Sequence, residues 1–314
     1  MSSSGADKSK TEDTIEIISE QSRRRGAAPF QALYRAPWWL ILLLLIMLLI
    51  IHLINTDEKY NLIYQQLREG IGLTIYLAFA SYGLAIVIGL VVGLIRAEPP
   101  QAPERGSSLG VILKRILRTI IYNIATLYVE VMRGIPTLVF LLIAGFIIVP
   151  AVRDSINMEL LPILRITLNN PEIPDLVWRG RDTATAIAGL SLVYGAFLAE
   201  VFRAGIQSIA KGQVEAARSL GMSYLQVMRY IVIPQAFRRV LPPLGNDFVA
   251  MIKDTSLVTI LGTTEITQIA RRWSGSTFQY LETYLLLTVI YLVMTTTGSL
   301  LVQAMEKYLK QDER

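Results

Sequence analysis

The chain has no cysteine, a single histidine (His52) and only 18% charged residues over 314 positions. The missing cysteines exclude disulfides, iron–sulfur clusters, thiolate zinc sites and cysteine nucleophiles. One histidine cannot build a histidine metal site or an acid/base dyad, and neither an H-E-x-x-H run nor a Ser/His pair can be assembled around it. A G-x-x-x-x-G-K-[ST] phosphate loop is absent as well, so nucleotide would have to be bound elsewhere. Charge this sparse, with 53% hydrophobic residues and a mean hydropathy of +0.46, excludes an ordinary soluble domain, where charged residues approach a quarter. Transport, conduction or scaffolding in a membrane remains. The net charge of +5 implies no nucleic-acid partner, because membrane proteins gather Lys and Arg in cytoplasmic segments for topological reasons.

What is present is a series of long apolar runs. Residues 38–54 form seventeen positions interrupted only by His52, about 26 Å of helix, close to a bilayer core. The run starts too far in and lacks the cleavage site of a secretory signal, and His52 reads as an interfacial side chain. Residues 71–95 are uncharged and contain Gly89-Leu90-Val91-Val92-Gly93, a spacing that permits close helix contact. An amphipathic lead-in at 113–132 enters a third span at 134–152. Spans at 183–199, 244–263 and 283–305 follow, the last but one carrying Asp247, Lys253 and Asp254. The expectation is an all-α polytopic protein with six crossings. Of the 30 Lys and Arg, 21 fall in segments 1–36, 96–133, 203–240 and 304–314 and only 8 in the alternate segments, which places both termini in the cytoplasm. Residues 1–36 read as a disordered tail, 309–314 as a short cytoplasmic tail, and 154–182, with Pro162, Pro171 and Pro174, as the one sizeable external loop.

The cytoplasmic stretch from Lys211 to Pro234 predicts a helical hairpin. Ala and Leu propagate a first helix, Gly221 supplies a left-handed stop, and Ser223 with Gln226 makes a capping box for a second helix that ends before Pro234. Two short helices joined tightly at this face would act as a lever between a partner protein and the adjoining spans. An ordinary amphipathic surface loop is the plain alternative.

The spacing of Glu215-Ala216-Ala217, three residues, Gly221, nine residues and Ile231-Val232-Ile233-Pro234 resembles the EAA loop of ABC importer membrane subunits, E-A-A-x3-G-x9-I-x-L-P. Only Ile233 departs from that pattern, standing where leucine is usual. The runs at 128–136 and 200–209, together with Asn246-Asp247 and Lys253-Asp254-Thr255-Ser256-Leu257, look like motifs of the polar amino acid permeases, the histidine, glutamate, glutamine and arginine group. The resemblance covers about 67–308 and implies a five-helix type I permease core, with the helix at 37–55 as an addition. It further implies a multi-pass subunit of the bacterial inner membrane, with no cofactor or enzyme activity of its own. ABC ATPase subunits that bind ATP and Mg, an extracytoplasmic solute-binding protein, a second permease copy or relative, and a polar amino acid would be its partners. Glu215, Ala216, Ala217, Gly221 and Ser223 would then couple to the ATPase. Ile135, where the family has threonine, and the long 154–182 loop leave room for a different small polar solute; an ATP-independent channel would give the hairpin no task.

Charge inside the spans points to a pathway. Taking Pro242-Pro243 as the start of the fifth span puts Lys253 and Asp254 roughly 15 Å deep. Adjacent opposite charges with the hydroxyls of Thr255 and Ser256 could meet an amino acid zwitterion, while Asp247 lies on the same span. A buried ion pair binding helices together is the alternative, and both stay open. Glu130 with Arg133, and Glu200 with Arg203, mark the inner ends of two spans as gate candidates; their spacing favours plain i,i+3 pairs over a ring across a dimer axis.

Overall fold

The computed structural model describes residues 38–102 and 108–311, so the tail expected at 1–36 and residues 312–314 lie outside the described residues. The chain divides into two units, Met1–Thr56 and Asp57–Arg314. In the first, helix α1 (Trp38–Thr56) is a nineteen-residue apolar rod, closed by the Thr56 hydroxyl donating to the His52 carbonyl at 2.8 Å. His52 itself is exposed.

The second unit consists, among its described residues, of helices joined by turns and loops, with no strand. Helix α2 (Glu58–Ala97) runs for forty residues and starts on Asp57, whose carboxylate accepts from the Lys59 amide at 2.9 Å. It packs along α5 (Thr183–Gln207), and the two are parallel: Ser81 meets Ser191, Gly89 meets Leu198, Gly93 meets Phe202, and the Gln207 amide reaches the Ala97 carbonyl at 3.0 Å. The glycine pair makes this approach possible. A Cβ on Gly89 would lie 2.6 Å from that of Leu198, and one on Gly93 would lie 2.8 Å from the Ala199 carbonyl oxygen. The core between α2, α5 and α8 (Ile233–Asp254) holds Leu77, Leu190, Leu198 and Met251 without exposure. Four residues of this size, sealed from solvent and lipid, each contribute about 1.5–3 kcal/mol of burial.

Helix α3 (Leu109–Gly134) is the expected amphipathic lead-in, but it stops at Ile135-Pro136 rather than running on. Helix α4 (Thr137–Thr167) then continues beyond the expected end at 152. It does so through π-turns at Ala144–Ile148 and Ile156–Leu160, each just ahead of a proline, Pro150 and Pro162. A proline lacks the N–H that an α-helix needs, and the wider i→i+5 turn shifts the bonding to donors that remain. The loop expected at 154–182 is therefore only 168–182.

The same device overturns the expected stop at Pro234. After the hairpin helices α6 (Lys211–Ser219) and α7 (Tyr224–Val227), a π-turn at Met228–Val232 leads straight into α8, with Pro234 in its first turn. Pro242 and Pro243 then sit inside α8, not at its start. The helix ends at Asp254, tightens into a 3-10 segment (Thr255–Leu261) and turns at Gly262, φ +76°. Helix α9 (Ile266–Thr277) and the long α10 (Tyr280–Gln311) complete the unit, so residues 309–311 extend α10 rather than beginning a tail. Among the described residues five helices are long and apolar enough to cross a membrane: α1, α2, α4, α5 and α10. The segment expected as the fifth of six crossings is not among them, because α8 carries Arg238, Arg239, Asp247 and Lys253 and breaks at mid-length of the expected span.

Candidate functional site: the hairpin, the ion cluster and the Lys253 groove

The hairpin is held by local chemistry. Beyond Ser219 the Gly221 amide donates to the Arg218 carbonyl at 2.9 Å and the Met222 amide to the Ala217 carbonyl at 3.2 Å, a Schellman closure with Gly221 at φ +81°. Ser223 and Gln226 form the reciprocal capping box. Beneath the turn Ala217, Val227, Val232 and Ile209 make a small core of their own. Of the E-A-A residues only Ala217 turns inward; Glu215 and Ala216 face out, beside an apolar tip where Leu220 is 84% and Leu225 76% exposed. The hairpin therefore exposes two large leucines on an element held by its own small core.

The hairpin is also tied to the helix ends behind it. The Tyr224 hydroxyl donates to the Glu98 carboxylate at 3.4 Å, Arg118 on α3 pairs with the same carboxylate at 3.3 Å, and Arg239 reaches the Ser208 carbonyl at 2.5 Å. Burial, and after it the Glu98 charge, raises the Tyr224 phenol above its ordinary range, which keeps it a donor.

One turn deeper lies a cluster of charges. Arg96, at the end of α2 and 7% exposed, forms an ion pair with Glu200, reaches Glu130 at 3.8 Å and donates to the Thr126 hydroxyl at 3.3 Å. Glu200 also takes the expected i,i+3 partner, Arg203, at 2.5 Å. The matching pair Glu130–Arg133 does not form: Glu130 turns to Arg96, and Arg133 lies 6.0 Å from the Phe197 ring centre. Arg96, the residue directly after the uncharged 71–95 run, was missed by sequence reasoning.

The remaining candidates gather near the middle of α5. Tyr194, eleven residues into α5, donates to Asp254 at 2.9 Å, so Asp254 lies level with the middle of that helix, while Pro242, the expected counting origin, lies inside α8. Lys253 and Asp254 point apart and form no ion pair with each other among the described residues. Lys253 instead lines an open groove of about 420 Å³ with Ser256, Thr267, Tyr291 and Thr295. Thr255 is buried and spends its hydroxyl on the Ile252 carbonyl, Ser256 spends its own on that of Lys253, and Asp247 is half-buried about two turns before Asp254. Two groove residues, Thr267 and Tyr291, are fixed by Glu265, which is fully buried and accepts from the Thr267 and Gln268 amides at 2.8 Å and from the Tyr291 hydroxyl at 3.1 Å. Glu265 was also missed, since a glutamate is an uncommon N-cap. No group of acidic or histidine side chains suited to a metal ion occurs among the described residues.

Together these features define a class: a multi-pass helical membrane protein with a polar groove beside a broken helix and a compact hairpin that exposes an apolar tip. Residues 106–312 match the family model described as "Binding-protein-dependent transport system inner membrane component", and the chain belongs to that family. It is 33% identical over 241 residues to the "Probable amino-acid ABC transporter permease protein YckA" of Bacillus subtilis (strain 168), covering 76% of this chain and 87% of that one. It is 29% identical over 242 residues to the "Glutamine transport system permease protein GlnP" of Escherichia coli (strain K12), covering 77% and 92%. Among solved structures, one described as "Crystal structure of an amino acid ABC transporter with histidines" superposes with a TM-score of 0.57 at 30% identity, covering 78% of this chain and 94% of that one. The chain is therefore an ABC importer permease subunit of the inner membrane, working with a solute-binding protein and with an ATPase that is a separate subunit.

Proposed function

We propose that this permease serves an amino acid importer, with its hairpin at 211–234 docking on the ATPase and its solute passing the groove beside Lys253 and Asp254. The carrying observation is the hairpin. It has a core of its own, an apolar tip with nothing over it among the described residues, and polar ties to α2 and α3 through Glu98. A push on such an element reaches several helix ends at once. The excess of Lys and Arg on the segments at that end supports a cytoplasmic placement for it, with both termini on the same side. Lys253 offers the groove a positive charge and Tyr291, Thr267 and Ser256 offer hydroxyls, a set that suits a small zwitterion. Relatives that carry amino acids support the solute class, and a second permease, a copy or a relative, would close the pathway.

Gly221→Val tests the coupling role. A β-branched residue at φ +81° is sterically opposed and would undo the Schellman closure. The variant should insert normally but recruit less ATPase and lose solute-stimulated ATP hydrolysis. Normal recruitment with unchanged stimulation would show that the hairpin is not the coupling element.

A further inference from the structure

At the other end of α5 from the hairpin, the 168–182 loop and α9 frame a second cavity, of about 570 Å³, lined by Arg153, Arg179, Arg181 and Arg271 over a floor of Ile260, Leu261 and Gly262. Four guanidiniums around one concave space repel one another, and positive charge on a translocated segment opposes membrane insertion. Something must repay that cost.

The acidic neighbours do not cancel the cluster. Asp154 is taken up by Arg153 at 2.7 Å, and Asp182 spends its carboxylate on the Thr185 amide at 2.9 Å as the N-cap of α5. Arg179 and Arg271 have no ion-pair partner among the described residues, and Arg181 has only the Phe146 ring, 5.7 Å from its guanidinium.

The arrangement is built rather than incidental. Between Arg179 and Arg181 the backbone passes through Gly180 at φ +73°, and a Cβ there would run into the Gly145 carbonyl oxygen on the first π-turn of α4. Gly145 in turn leaves no room for a Cβ, which would lie 2.5 Å from the Leu261 side chain and 2.8 Å from the Gly180 oxygen. Loop and α4 thus meet backbone to backbone, with the Leu261 side chain of the 3-10 segment packed against the Gly145 side of the contact. Trp178 adds a tie by donating to the Thr185 hydroxyl at 2.9 Å. Arg179 and Arg181 therefore project from a fixed support, which cuts the ordering cost of binding an anion.

We propose that this cavity is a carboxylate-binding vestibule and that the imported solute is an acidic, two-carboxylate amino acid, a reading that rests on the importer function above. Guanidinium forks match carboxylates in shape and charge. Three unpaired forks exceed what the single carboxylate of a neutral amino acid can use, and they repel a cationic side chain. A dicarboxylate, with net charge −1, uses two of them while its ammonium faces open water. The floor of the vestibule is the end of the same segment that begins at Lys253 and Asp254, so a solute released there has one continuous backbone stretch to follow to the groove.

The test uses the purified permease–ATPase complex without solute-binding protein and measures equilibrium binding of radiolabelled L-glutamate, with L-glutamine and L-arginine as competitors. Glutamate should bind in competition with aspartate but with neither of those two, and binding should weaken with added salt. The double variant Arg179→Gln/Arg181→Gln, and separately Arg271→Gln, should raise the half-saturating glutamate concentration by about tenfold. Arg272→Gln, whose side chain lines a different groove, should bind as wild type. Unchanged glutamate binding in the double variant, or equal competition by glutamine, would overturn the vestibule. So would variants that bind glutamate normally but lose affinity for the solute-binding protein, because the arginines would then be a protein contact. If wild-type proteoliposomes supplied with the solute-binding protein and ATP take up no amino acid while the complex still binds glutamate, the importer reading fails and the site stands.

Discussion

Arg96 and Glu200 form an ion pair in which the two partners are not equally replaceable. Arg96→Met removes a guanidinium that is 7% exposed, but Glu200 keeps two bonds from Arg203, at 2.9 and 2.5 Å, and Glu130, 65% exposed, turns to water. No buried charge is orphaned. The loss is then that of one charge-assisted contact, about 1.5–3 kcal/mol. Glu200→Gln leaves Arg96 buried with only Glu130, 3.8 Å away and largely in solvent, as counter-charge. Stranding one partner of a buried pair costs about 3–5 kcal/mol. The double variant Arg96→Met/Glu200→Met takes out both buried charges and should recover most of that loss. Thermal unfolding of the detergent-solubilised protein would read the order: wild type highest, Arg96→Met and the double variant slightly below, Glu200→Gln well below. If Arg96→Met melts at or below Glu200→Gln, or if the double variant falls by the sum of the singles, the cluster is not held by Arg96 neutralising Glu200.

Two further expectations concern the ends of the molecule and its middle. Deleting residues 1–56 removes the first unit whole and leaves 57–314, with its own core, intact; the truncated protein should reach the membrane and support uptake, and normal membrane levels with no uptake would show that α1 serves the pathway. Asp254→Asn keeps an acceptor for the Tyr194 hydroxyl, and Lys253 does not depend on Asp254 as an ion-pair partner, so abundance should hold while uptake falls; a drop in abundance that Lys253→Met/Asp254→Leu restores would instead mark a structural charge.

The hairpin was legible in the sequence because its determinants are local: a glycine that can take a left-handed turn and a serine three residues before a glutamine specify it whatever surrounds them. The α2 and α5 runs were legible for a similar reason, since an unbroken apolar stretch of bilayer length admits few readings. Proline misled. Pro234 and Pro242-Pro243 read as a stop and a start, yet the helix takes the first through a π-turn and the others between packed neighbours, and no sequence rule of short range shows that a wider turn will precede a proline. The same blindness truncated α4 at 152. Arg96 and Glu265 escaped because their meaning lies in partners over a hundred and some twenty-six positions away, Glu200 and Tyr291. The vestibule arginines were counted in the charge balance as topology and not seen as a group, because it takes the fold, with the Gly145 and Gly180 contact and the placement of α9, to bring them to one cavity.

A π-turn holds one residue more than the α-helical turn it replaces, so every side chain beyond it is rotated by about 100° from where an unbroken α-helix would aim it. The π-turn at Met228–Val232 stands between the hairpin tip and the Lys253 end of α8. It therefore sets the angular phase between the docking surface and the groove. Loss of one residue from that turn would leave a continuous helix of nearly the same length, with the hairpin tip unchanged and the polar face of α8 swung away from the pathway proposed above. Spacing between the two sites is elastic in distance by a single helical rise, and unforgiving in angle.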